Sequence, residues 1–147
     1  MSNDTHGAKG EKWIGFDLDG TIAEYNGWKG IAHIGKPIKP MCDVLNKLHA
    51  DGKKVKILTA RVAPRDEGGD PAEARRHIEI WCKQYLGFVP EITHEKDSCM
   101  EYLYDDRAIQ VIPNKGITVE EGARAAIEGE NGETEKALRE WLDTEND

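Results

Sequence analysis

No stretch of these 147 residues stays apolar for anything near the ~20 positions that a membrane helix needs. The opening MSNDTHGAKGEK has no apolar signal core, so secretion by the usual route is not expected and a cytoplasmic setting is. Cysteine is scarce: Cys42, Cys82 and Cys99 lie far apart and form no CxxC pair. That spacing excludes a zinc ribbon and a disulfide framework, and it fits free thiols in a reducing compartment. A basic excess is also missing. Net charge is −8, and it is unevenly spread. Residues 117–147 hold ten acids and three bases, a net −7, which leaves −1 for residues 1–116. An acidic chain is a poor non-specific binder of nucleic acid, although a near-neutral body still permits a local basic groove.

What is present suits a single domain with one core. Residues 1–11 are polar and carry no period, and are expected to be a disordered tail. WIGFD (13–17) and KVKILTA (54–60) read as short buried strands. Between them, residues 22–37 form a glycine-rich flap, followed by Met41, Val44, Leu45 and Leu48 at helical spacing. Gly52 suits a helix end, and Asp70 followed by Pro71 suits a helix start. The helix from Pro71 has Ile78, Trp81, Cys82 and Tyr85 on its apolar face and stops at Gly87. EIT (91–93), EYLYD (101–105) and AIQVI (108–112) are expected as further strands, and 118–128 and 134–143 as short acidic helices. The acidic 117–147 segment reads as a solvated helical pair or as a contact between copies in a homodimer. Strands alternating with helices predict an α/β fold, a doubly wound, mostly parallel sheet with helices on both faces and no second domain.

In such sheets ligands bind beyond the carboxyl ends of the strands. The chemistry sits there. Asp17 ends the first strand and Asp19 follows two residues on; Thr59 and Arg61 end the second; Asp105 and Asp106 end a later one. Carboxylates crowded at one edge repel unless a cation joins them, and Mg²⁺ takes a few oxygens plus water and phosphate. Gly20 permits the sharp turn that lets Asp19 point across the site. A calcium loop does not fit: counted from Asp17, glycine is fourth and Trp28 is twelfth.

FDLDGT, ILTAR, Lys96 and YDDR, in that order, resemble the four motifs of the haloacid dehalogenase superfamily. The resemblance covers about residues 13–112. It implies a Mg²⁺-dependent phosphatase working through an aspartyl-phosphate and, because the first gap, 22–40, is too short for a domain, a member with no cap domain. It implies Asp17 as nucleophile, Asp19 as general acid and base, Thr59 on the transferring phosphoryl group, and Lys96 as the base-motif lysine. Gly20, Thr21, Ala60, Arg61 and Arg107 are then substrate-binding positions, and Asp17, Asp19 (by its carbonyl), Asp105 and Asp106 hold the metal. TAR at 59–61 and DDR at 105–107 resemble the phosphatase half of phage-type polynucleotide kinase-phosphatases, which implies nucleic-acid 3′-ends as substrate. No GxxxxGK[ST] loop is present, so a kinase half is not expected. Nucleotides or small metabolites, and a catalytically quiet binding module, are the other expectations. Arg61 and Arg107 read equally as ion-pair partners, Lys96 as a surface lysine, and Tyr25 and Trp28 as base-stacking or flap-packing rings.

Overall fold

The computed structural model describes residues 10–128 and Glu140. They fall in two compact units that divide between Asp106 and Arg107. The first unit is an α/β fold, Rossmann-like, with an all-parallel four-stranded sheet. Its elements are β1 (Trp13–Phe16), α1 (Lys39–Ala50), β2 (Lys54–Leu58), α2 (Pro71–Tyr85), β3 (Glu91–Thr93) and β4 (Met100–Tyr104). The strand order is β3-β2-β1-β4. The chain winds outward from β1 to β3 and then crosses back to the far side of β1. That reversal makes β1–β4 the switch point, where a crevice opens beyond the strand ends.

Local chemistry explains the elements. All four residues of β1 are buried, as a central parallel strand requires. In α1, Cys42 and Leu45 are buried while Met41, Val44 and Leu48 pack partly buried against the same core. Gly52 then takes φ +86°, a conformation that strains any residue with a Cβ. The Asp70 carboxylate accepts from the Ala72 N–H, and Pro71 starts α2. Ile78, Trp81 and Cys82 join Ile14, Phe16, Val55, Ile57 and Ile92 in one apolar cluster with α1. Tyr85 stays half-exposed and leans on Trp81. Residues 17–38 form a turn and a flap, with no inserted domain.

The second unit holds α3 (Val119–Ile127), opened by a capping box between Thr118 and Glu121. AIQVI does not form the expected strand. Its Gln110 and Ile112 pair with Val119 and Ile117 across a tight turn, and Ile109 and Val111 are exposed. Pro113 stops the run, and among the described residues its pairing is limited to the isolated Val111–Thr118 bridge, too little to make a ladder. The helix expected at 134–143 and most of the tail expected at 1–11 lie outside the described residues. Among the described residues no helix is long and apolar enough to cross a membrane.

Candidate functional site

Phe16 and Tyr104 are register partners, and their rings stack with centroids 4.6 Å apart. Asp17 and Asp105 therefore leave the sheet side by side. The Asp17 N–H continues the ladder by donating to the Tyr104 carbonyl at 2.9 Å. The chain then turns within three residues. The Leu18 carbonyl accepts from Thr21, Ile22 and Ala23, and buried Leu18 and Ile22 anchor the turn in the core. Gly20 sits at φ +88°, and a Cβ there would collide with the Asp106 carboxylate. Glycine is thus required twice over, for backbone conformation and for close approach.

One oxygen each from Asp17, Asp105 and Asp106 lies within 4.8 Å of the other two. The buried Thr21 hydroxyl ties the group together. It accepts from the Asp106 N–H at 3.0 Å and stands 3.2 Å from Asp106 Oδ1 and 3.5 Å from Asp17 Oδ2. Asp17 is pushed from its ordinary 3.8 up to about 7. Burial is the main cause, followed by a shared hydrogen bond with Asp106 and the charges of Asp105 and Asp106; the Leu18 N–H pulls the other way. Three hard oxygen donors this close together suit a divalent cation that keeps some of its water.

The sign of the resulting pH dependence follows directly. A carboxyl with a raised folded-state pKa contributes stability that is whole below about pH 4 and drains away as pH rises through about 7. A cation removes that loss. Adding Mg²⁺ to chelator-stripped protein is expected to raise Tm by several degrees at pH 8 and by much less at pH 5. Thermal melts with Mg²⁺ and with EDTA check this; an equal shift at both pH values, or none, means that the trio holds no cation.

Asp19 is set apart from the trio. Arg61 grips it with a two-pronged ion pair, Nε to Oδ2 and Nη2 to Oδ1, both at 2.8 Å. The Arg61 side chain is 5% exposed and that of Asp19 is 20%. The same guanidinium donates to the His33 carbonyl at 3.0 Å and the Ile31 carbonyl at 3.4 Å, which ties down the flap. Trp28 lies over it at 4.9 Å and over Arg65 at 5.8 Å. Thr59, almost fully buried, accepts from the Arg61 N–H at 3.2 Å and caps the short 3₁₀ turn Ala60–Val62; its O–H can still donate. Ala60 is exposed at the start of that turn, and its carbonyl accepts from Arg65.

The expected residues thus form two groups, Asp17–Thr21–Asp105–Asp106 and Asp19–Arg61–Thr59. Lys96 is exposed and lines a depression with Lys56, Glu91 and Asp97, none of them a site carboxylate. Arg107 is exposed and belongs to the second unit. Sequence reasoning missed Arg65, a loop arginine among others, and the His33 carbonyl, which no side-chain pattern can announce.

No family model matches the chain, and no curated protein matches it. Among solved structures, the chain is similar to a conserved protein coded by a locus of Bacteroides thetaiotaomicron, with 22% identity and a TM-score of 0.47. The match spans 71% of this chain and 83% of that one.

Proposed function

We propose that the protein is a phosphomonoester hydrolase of the haloacid dehalogenase type, working through an aspartyl-phosphate on Asp17 with Mg²⁺ as cofactor. The separation of two neighbouring acids carries this reading: Asp17 joins an acidic trio, and Asp19, two residues on, is held by Arg61. Two carboxylates in different environments take two roles.

Asp17, with Asp105 and Asp106, would hold the cation. Mg²⁺ bound there supplies charge neutralisation, so that an anionic carboxylate and an anionic phosphate can approach. Asp17 Oδ then attacks phosphorus and the bond to the leaving oxygen breaks. Asp19 gives the leaving oxygen a proton. In the second half Asp19 takes a proton from water, the water oxygen bonds to phosphorus, and the bond to Asp17 breaks to release inorganic phosphate. With both oxygens held by Arg61, Asp19 is set up to accept the water proton. The same fork orients the Asp19 carboxyl for both proton transfers. Thr59 has its O–H for a phosphoryl oxygen.

The resemblance of TAR and DDR to a polynucleotide phosphatase supports nucleic-acid 3′-ends as one substrate class, and nucleotides or small phosphorylated metabolites are the other. The test is phosphate release with Mg²⁺ and with EDTA from 3′-phosphorylated oligonucleotides, mononucleotides, sugar phosphates and an aryl phosphate. Mg²⁺-dependent release supports the reading. No metal-dependent release from any of them sinks it and leaves a binding module on this fold.

A further inference from the structure

A cavity of about 260 Å³ opens beside Asp19, between Arg61 and the flap. It has no part in the metal trio. Its place gives it a meaning that rests on the hydrolase reading above. A leaving oxygen that takes its proton from Asp19 must stand next to Asp19, so the departing group fills the space that Asp19 lines.

Size, charge and rigidity narrow the occupant. Pockets for drug-sized ligands run from roughly 300 to 1,000 Å³, so this one takes a single sugar- or nucleoside-sized group. Lys29 and Lys36 line it, and neither has an ion-pair partner among the described residues. Arg61 and Asp19 cancel one another. Glu24, also on the wall, offsets one lysine. The wall is therefore net positive in a chain of net charge −8. Tyr25, 47% exposed, supplies an aromatic face.

The rim is built. Glu24 N–H donates to the Lys36 carbonyl at 2.8 Å, and the Trp81 indole N–H donates to the Gly35 carbonyl at 2.9 Å. A Cβ on Gly35 would run into the Glu24 backbone, so the two arms of the flap touch. The backbone that carries Lys36 is thus held in place, which favours its meeting an anion in the cavity.

We infer that the substrate's leaving group carries a second phosphate, which the Lys29–Lys36 wall of this cavity binds. A small bisphosphate supplies that chemistry. So does the last nucleotide of a 3′-phosphorylated strand, whose 5′-phosphodiester is the second anion.

The test compares kcat/KM for a nucleoside 3′-monophosphate, the matching 3′,5′-bisphosphate and a 3′-phosphorylated oligonucleotide, with an aryl phosphate alongside. The bisphosphate is expected to exceed the monophosphate by at least about tenfold, as charge-assisted contacts allow. The ratio should fall to near one in K29A/K36A and shrink with added salt. Lys83→Ala, on the far turn of α2, should leave the ratio unchanged. An oligonucleotide that outperforms the bisphosphate points to strand ends, and the reverse order points to a small molecule. Equal rates for mono- and bisphosphate, or a ratio that survives K29A/K36A, overturns the inference and leaves the hydrolase standing. No release even from the aryl phosphate overturns both.

Discussion

Asp17→Asn is expected to lower Mg²⁺-dependent phosphate release by about 10⁴-fold or more, the usual scale for loss of a nucleophile. The same substitution should make the metal-free protein more stable at pH 8. Moving a carboxyl from 3.8 to about 7 corresponds to up to about 4 kcal/mol of desolvation and repulsion at that pH. Asn carries no charge, keeps an oxygen to accept the Leu18 N–H, and can donate to Asp106. Stability gained with activity lost marks a group placed for chemistry rather than for folding. Denaturant unfolding between about pH 5 and 8 isolates the effect. Asp97, which accepts the Trp13 indole N–H, and Glu73, beside Arg76, are both held below their ordinary values, so their contributions are lost only in the acid range. A wild-type stability that falls over this range, and an Asp17→Asn stability that does not, is the expected pair. A destabilised Asp17→Asn with unchanged turnover would show the nucleophile to be misplaced.

Arg61→Ala is expected to cost about 3–5 kcal/mol, the range for removing one partner of a buried, hydrogen-bonded ion pair. Four hydrogen bonds end on this side chain, two to Asp19 and two to flap carbonyls, and the Trp28 ring lies against it. Without it, Asp19 keeps its charge in a site where its side chain is only 20% exposed. Arg61→Lys retains the charge and loses the planar fork, so it should recover only part of the stability. A double-mutant cycle with Asp19→Asn gives the coupling directly; a coupling of at least about 1 kcal/mol is expected for contacting charges. An arginine kept only to touch substrate would behave otherwise, because its loss would change stability by no more than about 0.5 kcal/mol. The cycle thus decides between the two roles that the sequence leaves open for Arg61.

These two residues differ in how much of their role is local to the chain. Asp17 was legible because strand burial is a local pattern. WIGF is wholly apolar or glycine, and the first charged residue after it must sit at the strand end. Asp105 and Asp106 were placed by the end of the EYLYD run and the YDDR motif instead, since β4 is largely exposed and carries Glu101, and the parallel α/β pattern brought those ends to one edge. Helix periods and the Asp70–Pro71, Gly52 and Gly87 signals set α1 and α2 within a few residues. AIQVI failed for the complementary reason: alternation shows that a segment could pair, and not whether a partner stands beside it.

Which site residue grips which other was decided by tertiary structure alone. Asp19 and Arg61 are 42 residues apart, and Thr21 and Asp106 are 85 apart. Asp17 and Asp19 are only two residues apart, yet one meets two carboxylates and the other a guanidinium. Gly20 creates the difference by turning the chain between β4 and the flap. The residue types at the strand ends follow from short-range burial and steric rules that act along the chain. Their pairing, and with it the raised pKa of Asp17, depends on strand order and flap closure, which bring charges together through space at distances no local period encodes.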